Sequence, residues 1–431
     1  MLSALVVADD LTGAMDTGHE FAARGHPTTV AVGGDGARPE VGVLVVNTDS
    51  RYLSPEEARE AVERVVRDTP ARTVYKKVDS TLRGNLVAEI EGALDASGAD
   101  TALVAPAFPA GGRLTACGYH LVEGGLVTDT AAGQDPDRPV TSAHLPTLLE
   151  GGAHAVGHVG VETVASGAEA VADVVRETDE TILACDAVHD DHLAALGRGA
   201  RLAEREVVYV GSAGLASALE LADEPDSGTA GAGGGGLAAA EPESTGDGTR
   251  VLGIVGSASP TTLDQLRAVG DERIVGLDGT RAAVDPATAA DDAVERAFEV
   301  LDEEGTVVVA SVLEEGDVDR ALRAGRDAGV DPATVRERVA DSLALVATRS
   351  WERDPPDGLF VTGGAVAGRV FDALGATGVR LTGEAVEAGV PVGRVLDGTA
   401  AGTRVVTKAG AFGGGRTIAK CLTRLGGSDD R

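Results

Sequence analysis

Charged side chains gather in four stretches of the first half of the chain, each just after a short run of apolar and β-branched residues. They are Asp9-Asp10 with Thr12; Asp49 with Arg51; Lys76-Lys77 with Asp79, Ser80, Thr81 and Arg83; and Pro106-Ala107-Phe108-Pro109 before Gly111-Gly112-Arg113. Ligands of open α/β sheets bind beyond the carboxyl ends of the strands, so these positions are where a site is expected. The residue types suit a small anionic polyol. Arginine and lysine match a carboxylate, and aspartates accept from hydroxyls. Any one of these aspartates has an ordinary use as a helix cap or turn residue; the recurrence at four strand ends is what points to a ligand.

The cations carry a second signal. Of 37 Lys+Arg, lysine occurs only at Lys76, Lys77, Lys408 and Lys420. Arginine is the default cation of this chain, so a retained lysine marks a place that needs a compact ammonium, beside a phosphate or a carboxylate for instance. Adjacent residues of a strand face opposite ways, so at most one of Lys76 and Lys77 is expected to reach the site.

Further along, the strand ends are small and neutral: Gly211-Ser212-Ala213-Gly214, Gly256-Ser257-Ala258-Ser259, Thr362-Gly363-Gly364 and Lys408-Ala409-Gly410. Glycine lets backbone N–H groups approach an anion, and a helix starting there adds its positive dipole end. The pattern predicts a phosphate cradle. It is not a Walker-A loop, since no Gly-Lys-Ser/Thr occurs, and no G-x-G-x-x-G follows a strand, which disfavours a dinucleotide-binding dehydrogenase. His189 and His192 stand alone without a second ligand pair, which reads as solvated surface, and no metal site is expected.

The elements that must position these residues alternate between β-branched runs and Ala/Glu/Arg-rich stretches, the mark of an α/β protein. Strands are expected at 3–8, 27–32, 41–46, 73–78 and 101–105, and, counted with the second half, near 207–210, 251–255, 273–277, 306–310, 359–362 and 404–407. Ser54-Pro55-Glu56-Glu57 is a helix start, another helix begins near Pro260, and a long one runs from about Pro332 to Arg349. Residues 223–249, rich in Gly, Ala and acids, lack apolar periodicity and read as a linker or loop. The organisation expected is a domain at 1–222, the linker at 223–249, and a domain at 250–425. Each carries a largely parallel or mixed sheet flanked by helices, with the active site in the cleft between them.

Composition limits the partners. The net charge of −32 argues against nucleic acid or an anionic membrane. No apolar run approaches the roughly 18 residues of a membrane span. The run Leu2–Ala8 has no basic leader and stops at Asp9-Asp10, unlike a signal peptide. Cys117, Cys185 and Cys421 are widely spaced, which favours a reducing cytoplasm. An acid-rich chain with few lysines and 3% aromatic residues fits a salt-accumulating halophile, where ionic strength screens self-repulsion; an acidic protein of a GC-rich genome is the plainer alternative.

Nine stretches resemble, in order, those of the four-carbon acid sugar kinase family: ADDLTGAMDTG (8–18), NTDSR (47–51), YKKVDSTLRGN (75–85), PAFPAGGRLTACGYHLVEG (106–124), GSAGLA (211–216), GSASP (256–260), VTGGAVAG (361–368), GVPVGR (389–394) and VVTKAGAFG (405–413). The resemblance spans nearly the whole chain. It implies an ATP- and Mg²⁺-dependent kinase of threonate, erythronate or 3-oxotetronate, with the acid on the N-terminal domain and the nucleotide on the C-terminal one. By the same resemblance, substrate contacts fall on Asp10, Arg51, Asp79, Ser80, Thr81 and Leu82, to which the strand-end reading adds Lys77 and Arg83. ATP contacts fall on Ser257, Thr362, Gly363, Gly364, Ala365 and Gly410. Either Asp10 or Asp79 is expected to orient and deprotonate the terminal hydroxyl, while Arg51 and one of Lys76 or Lys77 hold the carboxylate. Lys408 either neutralises charge at the transferred group or pairs structurally with nearby acids. The partners implied are a small acid and ATP; a homodimer is compatible with this. The family commonly follows the Gly-Gly pair with an acid and a threonine; this chain has Ala365 and Val366. That departure is the one motive for a non-catalytic sugar-acid or nucleotide sensor, while an oxidoreductase on a similar acid is disfavoured by the missing fingerprint.

Overall fold

A computed structural model of the chain describes residues 1–32, 42–135, 138–221 and 249–427. The expected linker at 223–249 lies outside the described residues except for Thr249. The chain divides into two compact units: one holds Met1–Val30 and Pro39–Asp226, the other Ala31–Arg38 and Ser227–Arg431.

The first unit contains β1 (Leu2–Ala8), β2 (Thr28–Ala31), β3 (Val43–Asn47), β4 (Ala71–Lys77), β5 (Thr101–Ala105), β6 (Arg113–Ala116), β7 (Tyr119–Val122), β8 (Gly125–Leu126), β9 (Val156–Val159), β10 (Ile182–Cys185) and β11 (Val207–Gly211). The strand order is β2-β3-β1-β4-β11-β5-β10-β9, parallel at every pairing from β3 to β9. The chain leaves β1 toward β3 and then returns to the other side of β1 as β4. The carboxyl ends of β1, β3 and β4 therefore meet at a topological switch point, where a crevice is expected. Leu5 and Val7 of β1 pack with Val62, Val66, Ile90 and Leu94 on one face. Ser54 and Glu57 cap the helix Pro55–Asp68 reciprocally, as the start signal predicts. Strands β6, β7 and β8 form a small separate antiparallel sheet.

One expectation is corrected here. The strand near 207–210, counted with the second half, is β11, and it lies between β4 and β5 of the first unit. Its apolar run fits the middle of either sheet, and the boundary in composition comes only after it. The following Ser212 is buried and donates to Ala107 O at 3.2 Å, so it closes this unit's core and is no part of a phosphate cradle in the second.

The second unit contains β12 (Val251–Val255), β13 (Ile274–Gly276), β14 (Thr306–Ala310), β15 (Gly358–Thr362), β16 (Gly378–Glu387), β17 (Val390–Val395) and β18 (Arg404–Lys408). The order is β13-β14-β12-β15-β18-β17-β16, parallel from β13 to β18, with β17 and β16 added antiparallel. Val251, Val255, Val308, Phe360 and Val406 join Ile418, Leu422 and Leu425 of the helix Thr417–Leu425 in its core. β12, β15 and β18 are neighbours, so the ends carrying Ser257, Thr362 and Lys408 lie side by side. No helix among the described residues is long and apolar enough to cross a membrane.

Candidate functional site

In the first unit, Asp10 follows β1 in extended backbone and caps the helix Leu11–Ala22, its Oδ1 accepting from Gly13 N at 3.1 Å. The same oxygen accepts from Arg51 Nη2 at 2.8 Å, and Arg51 Nε donates to Asp9 Oδ2 at 2.7 Å. Arg51 Nη2 is also 3.8 Å from Asp79 Oδ1. One guanidinium thus ties together the ends of β1, β3 and β4. Burial pushes Asp9 up, but Arg51, Lys77 and Lys76 outweigh it and hold its carboxyl below the usual range.

Asp79 is held more firmly still. Its Oδ2 accepts from Thr81 Oγ1 at 2.5 Å and from Arg83 Nε at 2.7 Å. Burial raises its pKa, yet Arg51 and Arg83 pull it far below the usual carboxylate range. A carboxylate so strongly stabilised in its ionised form is a weak proton acceptor. Both bonds to Asp10, in contrast, fall on Oδ1; among the described residues Oδ2 accepts none.

The two lysines part as strand geometry requires. Lys76 pairs with Val7 in register, turns to that face, and meets Glu89 at 3.1 Å in a fully buried ion pair that Ser50 also joins. Lys77 turns to the other face. Its Nζ lies 2.5 Å from where a Cβ on Gly13 would stand, and Asp10 Oδ1 lies 2.6 Å from the same point, so a side chain at residue 13 would have to displace both. Lys77 is buried, its ammonium makes no hydrogen bond among the described residues, and its charge acts on the carboxylates of Asp9, Asp16 and Asp79.

The Asp79–Leu82 turn is strained, with Leu82 at φ +63°, a conformation unfavourable for a branched side chain by about 1–2 kcal/mol. It is braced from the small sheet. Buried His120 of β7 lies 2.9 Å from Ser80 O through Nε2 and 3.0 Å from Thr115 Oγ1 through Nδ1. Burial pushes the ring's pKa down to about 4, so it is neutral at physiological pH: Nε2–H donates to Ser80 O, and Nδ1 accepts from Thr115.

In the second unit, Ser257 Oγ accepts from Ser259 N at 3.2 Å, and Thr262 of the helix Pro260–Leu266 donates to Gly410 O at 2.8 Å. Thr362 Oγ1 donates to Lys408 O at 2.9 Å, and Gly363 heads the helix Gly364–Ala373. The start of that helix sits against the Gly256–Ser257 backbone, and Gly410 sits against the Ser257 side chain. Next to them a cavity of about 270 Å³ opens among Gly256, Ala258, Val312, Val339, Ala365 and Val366. Val366 leaves no room for a side chain at residue 256, where a Cβ would lie 2.3 Å from its Cγ2. Lys408 is buried, and its ammonium donates to three carbonyls of its own loop.

Residues 4–219 match the model of a sugar-binding N-terminal domain, and residues 252–418 that of a nucleotide-binding C-terminal domain. The chain is 36% identical over 423 residues to a D-threonate kinase of Bordetella bronchiseptica, covering 95% of this chain and 94% of that one. The chain belongs to the four-carbon acid sugar kinase family. A D-erythronate kinase of Heliobacterium modesticaldum is 31% identical over 445 residues, 99% of this chain and 97% of its own. A solved structure titled as a putative tRNA synthase from Salmonella typhimurium shares the fold, with a TM-score of 0.79 at 22% identity, covering 98% of this chain and 100% of that one.

For this family member, the residues singled out in the first unit (Asp10, Arg51, Lys77, Asp79, Ser80, Thr81, Leu82, Arg83) form one cluster around the switch point. Ser257, Thr362, Gly363, Gly364, Ala365, Lys408 and Gly410 are neighbours in the second. The structure differs from the expected roles in that Arg51 gives Nε and Nη2 to the protein's own aspartates. His120, Thr262 and Gln265 did not stand out in the sequence. His120 lies inside the stretch 106–124 and Thr262 and Gln265 just beyond 256–260, but nothing in a neutral buried side chain's sequence neighbourhood announces which backbone carbonyl it will meet.

Proposed function

We propose that this protein transfers the γ-phosphoryl group of ATP to the terminal hydroxyl of a four-carbon sugar acid: threonate, erythronate or 3-oxotetronate. The observation that carries the reading is the Lys77 ammonium beside Asp10, which makes no hydrogen bond among the described residues while Arg51 and Arg83 are tied to the aspartates around them. All three ammonium hydrogens are open to a ligand, and a bound carboxylate accepts them in charge-assisted hydrogen bonds. Asp10 Oδ2 orients the acceptor hydroxyl and takes its proton, a contribution typically of about 10²–10⁴-fold. Asp79 acts differently: it fixes Arg51 and Arg83, so that the Ser80–Leu82 backbone and the free edge of each guanidinium face the polyol.

On the nucleotide side, the apolar cavity beside Ala365 and Val366 accepts the base, and the amides at Ser257, Gly363-Gly364-Ala365 and Gly410 hold phosphates. Ala365 and Val366 contribute apolar wall and backbone N–H groups in place of the polar side chains common in the family. Mg²⁺ enters as part of the ATP substrate: among the described residues no cluster of three or more His, Cys, Asp or Glu forms a metal cage, and Mg²⁺ bound through phosphates needs few protein ligands. Catalysis then rests on positioning and charge neutralisation.

The surplus of acid is a separate feature, suited to a cytoplasm of high salt. Asp291, Asp292, Glu295 and Asp302 of the helix Pro286–Glu304 all stand exposed, far in sequence from either cluster. The test is a coupled ADP assay in molar KCl over a panel of four-carbon acids. ADP formation that depends on one of them is expected, and its absence across the panel overturns the reading.

A further inference from the structure

We propose that Lys408 is a positioning residue of the nucleotide site: it gathers the carbonyls of the Ala409–Phe412 loop and thereby turns the loop's amide edge toward the phosphates, without itself touching them. The inference rests on the reading of the second unit as the one that binds ATP.

Lys408 is 1% exposed. Its Nζ donates to Ala409 O at 2.7 Å, Gly410 O at 3.1 Å and Phe412 O at 3.2 Å, which uses all three ammonium hydrogens. Neighbouring side chains complete the pattern. Thr362 takes Lys408 O, Thr262 takes Gly410 O, and Gln265 Nε2 reaches Phe412 O at 3.0 Å and Gly414 O at 2.9 Å. The peptide bonds are all trans, so each N–H points opposite to the carbonyl preceding it. With the carbonyls of 408, 409, 410, 412 and 414 drawn inward, the amides of Ala409, Gly410, Ala411, Gly413 and Gly415 turn outward together. Successive amides in that arrangement form an anion-binding concavity. At Gly410 the loop presses on Ser257: a Cβ there would lie 2.1 Å from Ser257 Oγ.

This also explains why a chain built on arginine keeps a lysine here. A tetrahedral ammonium can converge on three carbonyls within one short loop, whereas a planar guanidinium spreads its donors apart. Burial lowers the pKa of Lys408 to about 8; the groups facing it are Cys421 of the helix Thr417–Leu425, whose thiol burial pushes up to about 12, and Glu387 at the end of β16. Loss of the proton leaves a lone pair facing a carbonyl, so the loop loosens as pH rises through about 8.

Calorimetric titration with ADP, in molar KCl, tests this on wild type, Lys408→Met and Lys408→Arg. Lys408→Met is expected to weaken ADP binding by about 10- to 100-fold, the loss typical of charge-assisted hydrogen bonds, with the KM for the sugar acid unchanged. Wild-type affinity is expected to fall by roughly tenfold per pH unit above about pH 8, a dependence absent from Lys408→Arg. ADP binding by Lys408→Met within about twofold of wild type overturns the proposal. So does ADP binding by Lys408→Arg within about twofold of wild type, since a planar guanidinium does not converge on the three carbonyls, a result that decides the matter even if Lys408→Met does not fold. If wild type binds no ADP at all, the kinase reading itself fails; if it binds and turns over while Lys408→Met equals it, only the positioning role fails.

Discussion

Gly13→Ala separates function from stability at a single methyl group. Residue 13 is the third of the helix Leu11–Ala22, where alanine is the better helix former by about 0.5–1 kcal/mol. A Cβ there, however, would stand 2.5 Å from Lys77 Nζ and 2.6 Å from Asp10 Oδ1. Lys77 ends a flexible stem and can swing aside. Asp10 Oδ1 is held by Gly13 N at 3.1 Å and Arg51 Nη2 at 2.8 Å, so moving it loosens the cap and the bond to Arg51 together. Displacing both charges forfeits two charge-assisted interactions with the acid, each worth about 1.5–3 kcal/mol, which corresponds to roughly 10²–10⁴-fold in kcat/KM for the acid. The KM for ATP is expected to stay within about twofold, and the thermal midpoint within about 4 °C because the helix gain offsets part of the local strain. Steady-state kinetics with each substrate varied, beside thermal unfolding of the same sample, give the answer. Wild-type kcat/KM for the acid in Gly13→Ala would refute the placement of Lys77 and Asp10 at the substrate.

Other outcomes follow from the same geometry. Asp79→Asn leaves Arg51 and Arg83 short of a buried partner and is expected to cost about 3–5 kcal/mol at pH 7. Because the Asp79 carboxyl is depressed in the fold, that contribution is present above the unfolded value near 4 and is lost as pH falls below it, so urea midpoints of variant and wild type should converge in acid. His120→Ala is expected to raise the KM for the acid about tenfold by freeing the Ser80 carbonyl, with His120→Gln recovering part of it. Burial holds the pKa of the His120 ring at about 4, well below the usual imidazole value of about 6.5. Its neutral form therefore supports the fold above about pH 6.5 and that support drains away as pH falls toward 4, a slope His120→Gln should flatten in denaturant titrations. With a net charge of −32, the thermal midpoint should climb with KCl well beyond the low-salt range that already screens ordinary proteins; a flat response would exclude the high-salt reading of the surface.

The parallel strands of both units were legible because each is a compact β-branched run bounded by turn residues, and the helix starts at Ser54, Pro260 and Pro332 stand where their capping signals fall. β9 (VGHV) and β10 (ILAC), though parallel, escaped notice because neither holds a β-branched run. β16 and β17 did so because Gly383, Gly389 and Pro391 interrupt them; antiparallel addition at a sheet edge tolerates such breaks. The β6–β8 sheet is built from turn-rich sequence whose pairing partners no periodicity reveals. At the site, residue types and strand ends exposed the charged cluster, and strand alternation predicted that Lys76 and Lys77 would part to opposite faces. What stayed hidden was who neutralises whom. Arg51 reads as a carboxylate ligand, and only the fold shows Asp9, Asp10 and Asp79 closing on it; Lys408 reads either as a neutraliser of the transferred group or as a structural partner of nearby acids, and only the fold shows its ammonium on the carbonyls of its own loop.

The central claim is a transfer between two substrates, and the product tests it most directly. Purified protein in molar KCl with Mg·ATP and each of threonate, erythronate and 3-oxotetronate can be followed by ³¹P NMR. The account predicts a new phosphomonoester on the terminal carbon of one of these acids, formed in equal amount with ADP and abolished in Asp10→Asn. No phosphomonoester from any of the three, by protein shown to bind ADP, would contradict it.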